Sequence, residues 1–257
     1  MGTRFVDDTL DYIKLHKASK EYPSEIEWEI DKDDIYYKSL TPDQKQDIWG
    51  RFAQKTLRQE EAFKRVFGRV FDEQRKLTLD DFQKTGQLPT NLKDEQTARQ
   101  FEPAIEMVYS SGFEDALPKQ VDMLDEGALE WIATRSLLLA KSINATTLEA
   151  LRKELQMGFA AGESIQQLTK RIAGYFETSK KWQAERVART EVIAVSNEAA
   201  LHRYEKEGVE KSEFLAAPDA CVVCLALDGQ EYATIDSHGI IPVHSNCRCK
   251  WLPVVEI

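Results

Sequence analysis

The amino-acid sequence predicts an α+β protein that is mainly α, in which a helical N-terminal region is followed by a C-terminal domain of helices plus a small β segment. Two observations support this fold class. Apolar residues recur at helical spacing along most of the chain before Gly208. Beyond Gly208, glycine, proline and aspartate become frequent, and the segment Lys211–Leu215 alternates in polarity like a strand. The helices should therefore end near Gly208.

Composition and charge narrow the class of protein. Of the 257 residues, 42% are hydrophobic and 30% are charged, as in ordinary folded proteins. The formal net charge of −10 argues against a sequence-specific DNA-binding protein, because such proteins neutralise phosphates with basic surface. Residues 1–11 lack a signal-peptide core, and no segment reaches the ~18 apolar residues of a membrane span. We therefore expect a soluble cytoplasmic protein with no membrane partner.

The part of the chain before position 145 divides into two regions. Residues 1–40 form an acidic N-terminal arm with one short helix near 8–19, and residues 41–144 form a helical region suited to docking on a partner. A helix should start at Thr41-Pro42 and end before the break at 86–89. Its apolar stripe comprises Ile48, Phe52, Phe63, Val66, Val70 and Leu77. Two further helices should cover 94–110 and 126–143, and the second carries the apolar residues Leu129, Ile132, Leu137 and Leu138.

Residues 145–257 form the C-terminal domain. Capping boxes at Thr146 with Glu149 and at Ser164 with Gln167 predict two helices that make an antiparallel hairpin, turning at 161–163. A third helix, over 179–208, should be central and buried on two sides. Its first apolar face comprises the small residues Ala184, Ala188, Val192, Val195 and Ala199, and its second comprises Ile193, Ala200 and Tyr204.

All four cysteines lie in the β segment, which indicates a shared role. Cys221 and Cys224 are separated by two residues, Cys247 and Cys249 by one, and His244 precedes the second pair. Such a set predicts a closed, structural zinc site of four thiolates, in which His244 can replace Cys247 or Cys249. Two alternatives remain, namely reduced cysteines packed as small apolar side chains and a disulfide such as Cys221 to Cys247.

Several short motifs occur in a fixed order along the C-terminal domain. They are Ala188-Arg189-Thr190-Glu191, Asn197, Asp219-x-Cys-x2-Cys224, Leu227-Asp228-Gly229 and Pro242-x-His244-x2-Cys247-Arg248-Cys249. In content and order this set resembles the Mu-F-like phage head morphogenesis family, over about residues 145 to 255. The residues outside the cysteine cluster that carry the resemblance, as a structural motif, are Arg189, Thr190, Glu191, Asn197, Asp219, Asp228, Gly229, Pro242 and Arg248.

The resemblance implies a minor head protein of a tailed phage, present in few copies per head. Its implied partners are the phage portal protein, capsid or scaffolding proteins and, non-specifically, the packaged DNA. The implied location is the virion, after assembly in the host cytoplasm. The family domain has no generally established catalytic activity, so the expectation is a protein that is not an enzyme.

Two interpretations of Glu191 remain open in the sequence. In the structural one, its carboxylate pairs with a cation or with amides of the cysteine segment, for example Arg248. In the alternative, Arg189, Glu191 and His244 form a catalytic trio of a nuclease or transferase. A basic run along the hairpin and central helix could contact DNA, although interspersed acids favour a solvated face. That run comprises Lys170, Arg171, Lys180, Lys181, Arg186 and Arg189.

Overall fold

The computed structural model describes residues 40–117 and 125–254, and these form four long helices, one short helix and a small sheet. In chain order the elements are α1 (Pro42–Thr85), α2 (Asp94–Ala116), α3 (Glu126–Ala160), α4 (Ile165–Lys206), β1 (Lys211–Leu215), α5 (Val222–Leu225), β2 (Glu231–Ala233) and β3 (Lys250–Val254). The predicted α+β class, mainly α, is confirmed. The acidic arm, with its predicted helix at 8–19, lies outside the described residues except for its last residue.

The first helix begins and ends where the sequence predicts. At its start the Thr41 side chain accepts a hydrogen bond from the Gln44 amide, and the Gln44 side chain accepts one from the Thr41 amide. At its end Gly86 adopts a left-handed conformation with φ of 70°. Of the predicted stripe, Phe63 and Val70 are buried, while its other members are only half-buried. The deepest part of the face is aromatic and also includes Phe67, Phe71 and Phe82.

Two predicted breaks between helices are wrong. Helix α3 runs unbroken through Thr146, and α4 runs unbroken through Ser179. The Thr146 and Glu149 pair has the spacing of a capping box, but the neighbouring Leu148 and Leu151 are buried and continue the apolar face of α3. Packing in the core therefore overrides the local signal. Helix α2 also continues to Ala116, beyond the predicted end at 110.

The inward face of α3 differs from the predicted one. Leu129 and Leu138 are about half exposed, whereas Ile132 is buried as predicted. The residues that face the core include alanines and a serine, whose small side chains do not mark a buried face in the sequence. Its buried residues before the predicted break are Ala128, Ile132, Ser136, Leu139, Ala140, Ile143 and Asn144.

Helices α3 and α4 form the predicted antiparallel hairpin, and α4 is the central element. The Ser164 capping box starts α4 immediately after the turn. The two predicted faces of α4 enter two different hydrophobic clusters. The Ala184 to Ala199 face packs with side chains of α1, α2 and α3, and the face with Ile193, Ala200 and Tyr204 packs against the cysteine segment and the sheet. Burial of α4 on two sides is thus confirmed.

The sheet has three antiparallel strands in the order β2-β1-β3, with the predicted strand Lys211–Leu215 in the middle. Phe214 of β1 lies opposite Trp251 of β3, and both side chains are fully buried. Helix α1 also reaches this sheet, because Trp49 packs with Leu215 and Leu252. An ion pair between Lys45 and Glu213 joins the same two elements.

The predicted division between a docking region that ends at residue 144 and a C-terminal domain that starts at residue 145 stays a prediction. Helix α3 crosses that position without a break, and one hydrophobic cluster contains side chains from both sides of it. Within the described residues, no helix combines the length and the apolar character needed to cross a membrane.

Candidate metal centre

The first half of the cysteine segment is held against β1 by the Leu227-Asp228-Gly229 motif. Cys221 is the N-cap of α5, and Cys224 lies within this helix. The Asp228 carboxylate accepts a 2.8 Å hydrogen bond from the Ala216 amide. Gly229 has a φ of 74°, which residues with a Cβ rarely adopt, and its amide donates to the Phe214 carbonyl. The motif therefore closes the loop that carries the first two cysteines.

A tight turn from His244 to Cys247 holds the second half of the segment. The Cys247 amide donates a 3.2 Å hydrogen bond to the His244 carbonyl. Asn246 occupies the left-handed region with φ of 64°, which asparagine tolerates better than most residues. The Asn246 amide donates to the Thr190 hydroxyl at 3.2 Å, so α4 fixes the turn. Upstream, the Ile241–Pro242 bond is cis.

The structure brings all five predicted ligand residues together. The Nε2 atom of His244 lies 3.3 Å from the sulfur of Cys221 and 3.3 Å from that of Cys224. The sulfurs of Cys224 and Cys247 are 3.9 Å apart. Donor atoms of Cys221, Cys224 and His244 lie within 4.8 Å of one another, as do those of Cys224, Cys247 and Cys249. The two groups share Cys224, which therefore lies at the centre of the cluster.

These separations and donor types fit a zinc ion. Bonds of about 2.3 Å at tetrahedral angles place two zinc-bound thiolates about 3.8 Å apart, and a nitrogen donor slightly closer. The Cys224 to Cys247 distance and the two His244 distances are near those values. All four cysteines are free thiols. The cluster can thus hold a metal ion.

Hydrogen bonding prepares His244 to act as a ligand through Nε2. Its Nδ1 atom lies 2.8 Å from the Ser245 carbonyl, an acceptor, so Nδ1 carries the proton and donates it. The same hydrogen bond, together with the neighbouring thiols, raises the pKa of the imidazole. The lone pair on Nε2 then faces Cys221 and Cys224. Metal-binding histidines commonly have this arrangement, in which the second ring nitrogen donates to a carbonyl or carboxylate.

The thiols differ in their readiness to ionise. A hydrogen bond from the Cys249 thiol, partly opposed by burial, lowers the pKa of Cys247 to about 5. The same contact and burial raise the pKa of Cys249 strongly. Burial raises the pKa of Cys224 to about 12, whereas backbone amides of α5 lower that of Cys221. Of the four thiols, Cys247 is therefore the readiest to ionise and Cys249 is the least ready.

Asn197 connects the central helix to the end of the cysteine segment. Its side-chain oxygen accepts a 2.8 Å hydrogen bond from the Trp251 amide, and its side-chain nitrogen donates to the Cys249 carbonyl at 3.2 Å. The residue is 1% exposed, and a third hydrogen bond joins it to the Ile193 carbonyl. An amide side chain supplies this combination of donor and acceptor, which explains an asparagine at this position.

The proposed pairing of Glu191 with Arg248 is wrong, because each residue has another partner. One carboxylate oxygen of Glu191 accepts hydrogen bonds from Arg135 of α3, from Nε at 2.9 Å and from Nη2 at 2.7 Å. Arg248 instead donates to Glu60 of α1 at 3.2 Å, and the Glu60 side chain is 1% exposed. A glutamate in the distant helix α1 thus neutralises the buried arginine of the cysteine segment.

Residues 149–252 match the sequence model of a family described as Phage Mu protein F like protein. The matched residues run from within α3 to β3 and contain all of α4 and all four cysteines. The predicted resemblance to the Mu-F-like family is therefore confirmed over these residues. A comparison with curated proteins found no match, and no solved structure matches the chain.

The structural-motif residues of the Mu F-like segment mostly make contacts within the fold. Arg189 adds a second cation beside Glu60, with its Nε atom 3.6 Å from the carboxylate. Asp219 is exposed and contributes negative charge near Arg248. Glu191 pairs with Arg135, Arg189 lies beside Glu60, and His244 donates to the Ser245 carbonyl. These contacts do not join Glu191, Arg189 and His244 to one another as a catalytic trio.

Several residues of the basic run in the Mu F-like segment form ion pairs with acidic side chains, which reduces the net positive charge of this surface. Arg171 pairs with Glu154 and Glu163, and Lys180 pairs with Asp72 of α1 at 2.7 Å. Arg186 instead lies over the Trp182 ring, at 4.8 Å from its centre. The run therefore contains intramolecular ion pairs as well as exposed charge, which weakens the case for a DNA-binding strip.

Proposed function

We propose that this protein is a minor head protein of a tailed phage, associated with the portal and present in few copies per head. The observation that carries the proposal is the Mu F-like match over residues 149–252, which covers the whole cysteine cluster and α4. The contacts made by Asn197, Asp228, Gly229 and Arg248 also support a structural role, because each fastens one part of this segment to another.

We further propose that the cluster binds one structural zinc ion through Cys221, Cys224, Cys247 and His244. His244 then replaces Cys249 in the set of four, and the Cys249 thiol donates its hydrogen bond to the Cys247 thiolate. Such a site has no position for water, so it stabilises the fold and does not perform hydrolysis. Capsid or scaffolding proteins and non-specific DNA contacts complete the proposed set of partners.

A protein inventory of purified virions and of DNA-free proheads tests the head-protein proposal. Quantitative mass spectrometry should find the protein in proheads at a small fraction of the major capsid protein, at a ratio near that of the portal. Crosslinking of proheads should then join it to portal peptides. Absence of the protein from both particles would contradict the proposal.

Metal content tests the ligand set. The purified wild-type chain should contain about one zinc ion at this cluster, and C224S should lose it and unfold at a lower temperature, because structural zinc contributes directly to folding stability. The matched variant C249S should retain the ion, since Cys249 is not a ligand in the proposed set. Equal zinc content in C224S and the wild type, or the loss of one ion in C249S with His244 intact, would disprove this assignment.

The alternative of an enzyme that uses Glu191 and His244 gains no specific support from the geometry. Burial raises the pKa of Glu191 despite its contact with Arg135, but its carboxylate is occupied by that guanidinium. E191Q keeps the shape and leaves most of the packing unchanged, so it separates the two interpretations. Loss of a measured nuclease or transferase activity in a folded E191Q protein would favour the enzyme.

A further inference from the structure

A second group of metal-binding side chains lies away from the cysteine cluster, where α4 meets the loop after β2. Glu198 and His202 are four residues apart on α4, so they share one helical face. His238 comes from the loop. One ring nitrogen of each histidine and one oxygen of Glu198 lie within 4.8 Å of one another. Neither the family resemblance nor the function proposed above assigns a role to these residues.

We propose that Glu198, His202 and His238 form a second metal site, which binds a zinc ion through two imidazole nitrogens and one carboxylate oxygen. This donor set suits borderline first-row cations, and three protein ligands leave a fourth tetrahedral position for water. The site differs in kind from the cysteine cluster, because it contains no thiolate and keeps one position open.

The hydrogen bonds around both histidines leave one nitrogen of each ring for the metal. The Nδ1 atom of His202 lies 2.8 Å from the Tyr109 hydroxyl, and the Nε2 atom of His238 lies 3.2 Å from a Glu205 oxygen. His202 Nε2 and His238 Nδ1 are then the ligand atoms. An outer partner on the second ring nitrogen is the usual arrangement of metal-binding histidines, since it fixes both the tautomer and the orientation of the ring.

The surroundings also hold the site in place. Tyr109 is buried, and the rings of Tyr109 and Trp131 pack against the His202 ring at 5.7 and 5.8 Å between centres. One oxygen of Glu198 accepts a 2.7 Å hydrogen bond from the Gly239 amide, and the other lies 2.7 Å from His238 Nδ1. A metal ion would replace the proton that joins this last pair and would fasten the loop to α4.

Zinc content per chain tests the proposal in the full-length protein. After equilibration with zinc and gel filtration, the wild type should hold about one more ion than H202Q, and E198Q should show the same loss. The matched control E185Q changes another glutamate of α4 outside the group and should bind as the wild type does. E205Q should retain the site with an affinity about 10- to 100-fold weaker, because it alters only the outer partner.

Two further measurements keep the result unambiguous. H238Q changes a loop residue and should lose the same ion even if H202Q disturbs the core. In a C224S background, one ion should remain, and H202Q should remove it, so failure of the cysteine assignment does not affect this test. Equal zinc content in the wild type and in folded H202Q and H238Q would overturn the proposal and leave His238 as an imidazolium between two glutamates.

Discussion

At the scale of single residues, the charged groups buried around the cysteine segment differ in how well they are compensated. Arg248 and Arg189 share the Glu60 carboxylate, and removal of one partner from such a buried set is costly. Lys250 is about as buried as Arg248, and its ammonium lies over the ring of Phe52, 5.2 Å from the ring centre, with Asp115 as the acidic group that acts on it. Burial lowers the pKa of this lysine to about 8. The buried Lys250 ammonium therefore lowers the free energy of unfolding at neutral pH.

The variant K250M should be more stable than the wild type by about 1–3 kcal/mol at neutral pH, because it removes a poorly compensated buried ammonium and keeps the apolar stem. Chemical denaturation at pH 7 measures the change. The control K153M alters a lysine that is two-thirds exposed and should change stability by less than about 0.5 kcal/mol. A less stable K250M protein would indicate that the ammonium has a partner in solution.

The five predicted ligand residues could be found from sequence because cysteine and histidine are scarce and their spacing is local. The partners of the buried charged residues could not be predicted from the sequence. Arg135 precedes Glu191 by 56 positions, and Glu60 precedes Arg248 by 188. Neither glutamate nor arginine is rare enough in this chain to mark such a pair. The Glu198 and His202 spacing was a usable signal, but His238 joins them only through the fold.

At the scale of elements, the sequence predicted the caps beside loops and the two faces of α4 better than the helix lengths and the inward face of α3. Thr41 and Ser164 begin their helices and Gly86 ends one as expected, since these signals act through neighbouring backbone atoms. The false breaks at Thr146 and Ser179 occur where a capping residue lies inside a continuous buried face. A local signal cannot show that a tertiary contact outweighs it.

Substitution by alanine should have opposite effects on stability at two glycines, because one lies at the close contact of α2 with α4 and the other has open space around it. A Cβ atom at Gly112 of α2 would lie 2.8 Å from the Ser196 carbonyl oxygen and 2.9 Å from the Ser196 Cα of α4. G112A should therefore destabilise the protein by about 1–3 kcal/mol, because the two backbones must move apart. Gly174, inside α4, has open space around it, so G174A should stabilise by about 0.5–1 kcal/mol. Thermal and denaturant unfolding of both variants measure the difference, and a neutral G112A would show that the helices separate easily.

At the scale of the whole molecule, the region that matches the Mu F-like family does not contain its own complete core. The first face of α4 packs on α1 and α2, which precede the matched residues. Trp49 of α1 also donates a 3.0 Å hydrogen bond to the Arg248 carbonyl. The matched region and the N-terminal helices thus share one hydrophobic cluster.

A fragment of residues 145–257 should therefore fail to fold cooperatively, because it exposes the alanine and valine face of α4 and leaves Arg248 without Glu60. Near-ultraviolet circular dichroism should lack the signal of packed aromatic residues, and thermal unfolding should be broad. The full-length chain, measured with the same zinc supply, provides the reference. A sharp unfolding transition of the fragment would show that the helices before position 145 are dispensable.

The contact between Glu60 and Arg248 also has a consequence for the order of folding. Contacts that span long stretches of chain form slowly, because the loop between them must close first. The ribosome supplies Glu60 long before Arg248, so the helical cluster can assemble while α4 still exposes its second face. In the folded protein Ile193, Ala200 and Tyr204 pack against the cysteine segment and the sheet, so we expect them to be exposed during that interval. Chaperones that recognise apolar surface should therefore bind the growing chain most strongly just before the last strand is synthesised.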